Sequence, residues 1–161
     1  MQSLGGMAHF DFNAPGAYAY EQAFQVMRRL RLPYPAAEQQ YRRMVFNVVA
    51  RNQDDHPKNI AFLMDPNGAW RLSPAYDVTY AHNPAGRWTH QHQMSVNGKR
   101  DNFTCEDLFA VGDSIGIRNP RELVAEVVDA IATWPEHANA AGVPADRAAA
   151  IAASHRLDLR P

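Results

Sequence analysis

Cysteine is almost missing from this chain. Cys105 stands alone among 161 residues, which excludes an intramolecular disulfide and points to a reducing compartment. Long apolar runs are missing too: no stretch approaches the ~20 apolar residues of a membrane span. The start, Met1-Gln2-Ser3-Leu4-Gly5-Gly6-Met7, lacks the basic residues and apolar core of a signal peptide. The chain is therefore expected to be soluble and cytoplasmic, with no membrane partner. Nor is there an excess of charge. Sixteen basic against 17 acidic residues leave a net charge of −1, which argues against gripping nucleic acid through bulk charge and calls for a specific site. Lysine is scarce, with only Lys58 and Lys99. With 46% hydrophobic residues, a chain of 161 suffices for one buried core and is short for two, so one domain over 1–161 is expected.

What is present is mostly helical patterning. Residues 1–17, with Gly5, Gly6, Pro15 and Gly16, show no periodicity and read as an irregular or extended arm leading into the fold. Tyr20, Phe24, Met27 and Leu30 fall at helical spacing over Tyr18 to Leu30, and Leu32-Pro33-Tyr34-Pro35 breaks that helix. A second helix, Ala36 to Ala50, carries the apolar face Tyr41, Met44, Val45, Val48 and Val49 and delivers the chain to Asn52-Gln53-Asp54. Asp65-Pro66-Asn67-Gly68 marks the turn of a β-hairpin between Asn59–Met64 and Trp70–Leu72, and Met94-Ser95-Val96 with Asn97-Gly98 suggests a second short one. Further on, Thr104-Cys105-Glu106-Asp107 reads as a capping box, Asn119-Pro120 opens a helix with the stripe Leu123 to Ile131 that ends at Trp134-Pro135, and an Ala-rich helix closes the chain over Val143 to His155. The fold class is mainly α with two short β-hairpins, and no internal repeat occurs.

The chemistry concentrates in two segments, Asp54-Asp55-His56-Pro57-Lys58-Asn59 and Leu72-Ser73-Pro74-Ala75-Tyr76-Asp77. Protein kinases place a base Asp five residues before a metal-binding Asn, then a second metal-binding Asp after the next hairpin. Asp54, Asn59 and Asp77 reproduce that order, with 18 residues from Asn59 to Asp77. The residue types suit the reaction. An Asp can accept a hydroxyl proton, while an Asn oxygen and an Asp carboxylate offer hard oxygens to Mg²⁺ beside the phosphates of ATP.

These two segments resemble the HipA family of bacterial serine/threonine kinases, the toxins of toxin–antitoxin pairs. Arg43-Met44-Val45-Phe46-Asn47-Val48-Val49, Trp70-Arg71-Leu72, Asn97-Gly98-Lys99 and the Val127 to Trp134 helix extend the likeness over essentially the whole chain. The resemblance implies the C-terminal lobe of a protein-kinase-like fold. Asp54 is then the catalytic base, Asn59 and Asp77 are the Mg²⁺ ligands, and His56 and Lys58 belong to the ATP-binding loop. It also implies transfer of the ATP γ-phosphoryl group to a protein Ser or Thr, a helix-turn-helix antitoxin as partner, and only indirect contact with nucleic acid. Asp55, one residue closer to Asn59 than the base spacing requires, takes a supporting role such as a loop hydrogen bond. A kinase of this kind also needs an N-lobe with a phosphate-holding loop and Lys, and neither occurs upstream of Asp54. The lobe is thus expected to be incomplete without a separate N-lobe, and weak or inactive by itself.

Two other classes compete with this reading. One is a non-catalytic remnant that binds an antitoxin; the other is a small-molecule phosphotransferase, since those enzymes share the Asp-x-His-x-x-Asn arrangement. Beyond the motif, His90 and His92, with His82 nearby, would share one side of an extended segment, and a polar loop is the reading preferred to a transition-metal site. Trp70, Tyr76 and Trp134 are expected in the core, with Trp88 the exception. Arg28, Arg29, Arg31, Arg42 and Arg43 are read first as solvated helix faces.

Overall fold

The computed structural model describes residues 1–161. Its elements in chain order are β1 (Gln2–Ser3), α1 (Leu4–Ala8), α2 (Tyr20–Arg29), α3 (Tyr34–Val49), β2 (Ala61–Met64), β3 (Trp70–Leu72), α4 (Cys105–Ile115), α5 (Pro120–Ala132), α6 (Trp134–Ala140), α7 (Ala145–Ser154) and a 3₁₀ turn, Leu157–Leu159. The fold is mostly α with one small antiparallel sheet, in the order β1-β2-β3. No helix is long and apolar enough to cross a membrane.

Two helical stripes make the centre. On α3, Tyr41, Met44, Val45, Val48 and Val49 are fully buried, and α3 packs along α5, which contributes Leu123, Val124, Val127, Val128 and Ile131. Burying an aliphatic side chain of this kind is worth roughly 1.5–3 kcal/mol, so this pair of faces fixes where α3 ends. That end matters because the candidate catalytic loop begins there. The helix α4 approaches α5 closely: a Cβ on Gly112 would stand 2.7 Å from the Cβ of Pro120 and 3.1 Å from the Tyr41 hydroxyl, so only glycine fits. The same Tyr41 hydroxyl donates to the Leu108 carbonyl at 2.9 Å.

The β2–β3 hairpin forms around Asp65, whose carboxylate accepts from the backbone of Asn67 and Ala69 at 2.8 and 2.9 Å. Two expectations need correction. The arm is extended at Gln2–Ser3, where β1 pairs with β2 (Gln2 opposite Phe62, Ser3 opposite Ala61), but Leu4–Ala8 are neither irregular nor extended and form α1, capped by Ser3 through the Gly6 N–H. A five-residue helix with two glycines has little stability of its own. This one is held by burial of Leu4 and by the Leu4 and Gly5 N–H groups donating to the carbonyls of Ile60 and Pro57, at 2.7 and 3.0 Å. The second hairpin reduces to a single bridge between Val96 and Lys99. Its turn is real, with Asn97 and Gly98 at φ 50° and 76°. However, Ser95 pairs across to Ala19 instead of extending a strand. The stripe of α5 stops at Ala132, and Trp134-Pro135 starts α6, with proline within the first two helical positions where no donor is missed.

Candidate functional site

Arg51 turns the chain sharply at the end of α3, with φ 58°, and the loop that follows is pinned on several sides. The Gln53 N–H donates to the Ala81 carbonyl and the Ala81 N–H to the Arg51 carbonyl, both at 3.1 Å, while the Asn59 N–H closes back on His56 at 2.9 Å. The Asn59 side chain is directed by its own bond. Its Nδ2 donates to the Asp54 backbone carbonyl at 2.9 Å, leaving Oδ1 with no protein donor.

Asp77 reaches the same place from the other segment. It sits in the left-handed region at φ 54°, and its side chain is exposed. Next to it, the Tyr76 hydroxyl donates to the Lys58 carbonyl and ties the post-β3 segment to the loop. Burial and then the Asp77 charge raise the Tyr76 phenol above its ordinary range. At 36% exposure Tyr76 is only partly covered and is not a core residue, whereas Trp88 is exposed as expected.

Asn59 and Asp77 line one cleft of about 350 Å³, walled by α3 (Arg43, Phe46) and α5 (Val127, Ala130). Three lining residues carry buried polar atoms without a partner: Gln40 Oε1, Asn52 Oδ1 and Arg43 Nε. Burial lowers the pKa of Arg43, whose Nη2 donates to the Ser73 carbonyl at 2.9 Å. Orphaned polar atoms at the wall of a cleft are what a ligand or bound water satisfies. The other loop residues are placed elsewhere. Asp54 is half-buried and its carboxylate accepts no protein hydrogen bond, but it does not line this cleft. The Lys58 ammonium lies 3.2 Å from the centroid of Phe12, the His56 ring meets Phe12 edge-on at 5.8 Å, and neither residue lines the cleft.

The family model for the HipA-like C-terminal domain matches residues 1–154. The chain belongs to this family. No curated protein matches it. Among solved structures, this HipA-like domain is similar to a chain in the complex of the Shewanella oneidensis MR-1 toxin–antitoxin system HipA, HipB and its operator DNA. The two share 22% identity and a TM-score of 0.61. The match covers 71% of this chain and 28% of that one, so this HipA-like chain spans little more than a quarter of its neighbour's length. At that identity the likeness shows the fold.

Within the HipA-like domain, Asp55 points into the protein. Its Oδ2 accepts from the Tyr20 hydroxyl and from His92 Nδ1, both at 2.8 Å, and its Oδ1 accepts from the Gln93 N–H at 2.7 Å. Burial alone would raise its pKa. The donors around it, His92 foremost and then the Gln93 N–H and the Tyr20 hydroxyl, outweigh that and hold the carboxyl below the usual carboxylate range. His92 is fully buried, while His90 is exposed and its Nδ1 meets the Gly86 carbonyl at 2.9 Å; the two histidines therefore do not share one side. Sequence reasoning missed Tyr20, Arg156 and the inward role of His92, because no spacing rule joins residues so far apart in the chain.

The donor set suits a hard cation in one respect. Asn59 Oδ1 and the Asp77 carboxylate are unengaged oxygens on one cleft, and Mg²⁺ commonly takes only one or two protein carboxylates, drawing its other ligands from phosphates and water. No cluster of three or more His, Cys, Asp or Glu side chains forms that could hold a metal by itself.

Proposed function

We propose that this HipA-like domain is the C-lobe of a serine/threonine protein kinase that transfers the γ-phosphoryl group of ATP to a protein hydroxyl once an N-lobe completes the site. One observation carries the reading. The amide nitrogen of Asn59 binds the backbone of Asp54, which leaves the amide oxygen unengaged, and Asn59 and Asp77 line the same cleft. Asn59 Oδ1 and the Asp77 carboxylate would hold Mg²⁺, which supplies positive charge against the phosphates of ATP. Asp54 accepts the proton of the substrate hydroxyl as its oxygen bonds to the γ-phosphorus and the bond to ADP breaks. By analogy with the HipA–HipB–DNA complex, the expected partner is a DNA-binding antitoxin, with DNA contact through that partner.

A second reading, a non-catalytic module that binds an antitoxin, is favoured by one fact: the Asp54 carboxylate stands outside the wall of the cleft. A radiolabelled transfer assay with an N-lobe supplied in cis or in trans separates the two. Asp54→Asn is expected to lower the rate by ~10²–10⁴-fold with nucleotide affinity nearly unchanged. Transfer that survives this substitution sinks the assignment of the base. Calorimetry on the 161-residue chain alone is expected to show weak MgATP binding and little turnover. Micromolar affinity with robust autophosphorylation would show that no N-lobe is required.

A further inference from the structure

We propose that Arg156, between α7 and the 3₁₀ turn, is a positioning residue that sets the pose of the candidate catalytic loop through His92 and Asp55, an inference that rests on Asp54 being the base. The chain of contacts is continuous. Asp54 and Asp55 share a peptide, and Asp55 is clamped from inside by Tyr20, His92 and Gln93. On its other side, the His92 ring meets Arg156, with Nη1 3.1 Å from Nε2. A guanidinium has only donors, so Nε2 must be the bare nitrogen and Nδ1 the protonated one that donates to Asp55. Arg156 therefore selects the one neutral tautomer that can hold Asp55.

The same side chain holds the other end of the loop. Its Nη1 donates to the Val48 carbonyl at 2.6 Å, its backbone N–H donates to Val49 at 2.9 Å, and its Nη2 is anchored on Asp101. Val48 and Val49 form the last turn of α3, from which the loop emerges. Arg51 backs the arrangement, with its Nε on the Ser154 carbonyl at 3.0 Å and its Nη1 3.8 Å from Asp101. Phe103 closes the shell, 5.2 Å from the guanidinium carbon and 5.4 Å from the His92 ring centre. Three acceptors in fixed directions need a planar fork, and a lysine ammonium cannot reach them together. A residue about a hundred positions after the loop thus braces both its exit from α3 and its buried anchor.

The test is long-range ¹H–¹⁵N NMR of the His92 ring, with hydrogen exchange at the Gln93 amide, in the full chain. The wild type is expected to show a neutral imidazole protonated at Nδ1. In Arg156→Lys, which keeps charge and stem, the ring proton is expected to move from Nδ1 to Nε2 in a detectable share of molecules, releasing Asp55, and Gln93 to exchange at least about tenfold faster. Asp101→Asn, which frees only one arm of the guanidinium, is expected to fall between, and it decides the matter should Arg156→Lys fail to fold. In the completed kinase, the rate is expected to drop about 10–100-fold with the nucleotide KM unchanged. An unaltered His92 tautomer and Gln93 protection in the folded variants would overturn the proposal. Loss of transfer in Asp54→Asn is scored separately, so a failed base assignment leaves the NMR result interpretable.

Discussion

On the outer side of the 52–59 loop, Asn59 Oδ1, the Asp77 carboxylate and the wall atoms of Gln40, Asn52 and Arg43 have no protein partner. On the inner side, every polar side-chain atom of Asp55 and His92 is bonded. Asp54 and Asp55 are neighbours in sequence, yet one carboxylate is free and the other accepts three hydrogen bonds. A buried polar group left unpaired costs about 1–3 kcal/mol. The contrast is one of neighbours: Asp55 and His92 anchor the loop backbone with every polar atom paired, while the cleft keeps polar atoms that a ligand would satisfy. The buried Gln53 amide and His56 Nδ1, which are off the cleft, are also without a partner.

The largest effect that would break this contrast is on the inner side. Asp55→Ala strands three buried donors and is expected to cost about 3–5 kcal/mol in urea unfolding, with Asp55→Asn costing less. Its damage should appear as stability, with the chemistry of the molecules that remain folded less affected than by Asp54→Asn. A loss below about 1 kcal/mol would mean that the Asp55 network is not the loop's anchor.

How far the sequence announced this arrangement depends on distance along the chain. The faces of α3 and α5 were readable because helical periodicity repeats within a dozen residues, and the order of Asp54, Asn59 and Asp77 was readable because loop and hairpin keep it local. Helix α1 was not. Its glycines argue against helix, and what holds it, pairing with residues 57–62, lies more than fifty positions away. The Asp55–His92 and His92–Arg156 contacts span 37 and 64 residues, and nothing in the local pattern of a His-rich loop says which histidine turns inward.

A second saturated carboxylate sharpens the comparison by its response to acid. Burial works to raise the pKa of Asp107, but bonds from Lys99, from the Thr104 backbone and hydroxyl and from Asn97 bring it down to about 2. A carboxyl depressed in the folded state stabilises above its unfolded pKa, and that contribution is lost as pH falls through the folded value. Protonating Asp107 between pH ~4 and ~2 should therefore cost on the order of 1–2 kcal/mol, discounted because Lys99 is half-exposed. Asp55, also depressed, adds a loss in the same direction. Urea titrations of wild type and Asp107→Asn across this range should converge at the acid end. Parallel curves would show that Asp107 is not the group being titrated.

The smallest expected effect is at Asp77, where the sign is the informative part. An exposed aspartate at φ 54° pays a conformational cost that glycine avoids, and the carboxylate accepts no protein hydrogen bond that would offset it. Asp77→Gly should stabilise the isolated chain by about 0.5–1 kcal/mol, while Asp77→Asn, which keeps the Cβ, should shift it by less than about 0.5 kcal/mol. Both remove the charged oxygen from the cleft, so both should weaken Mg²⁺-dependent nucleotide binding in the completed kinase, and neither should do so when Mg²⁺ is withheld. Stability and binding moving in opposite directions in the glycine variant is what strain retained for a ligand predicts. If Asp77→Gly destabilises the chain, the left-handed turn is held by contacts of the side chain itself, and Asp77 belongs with Asp55 on the structural side of the loop.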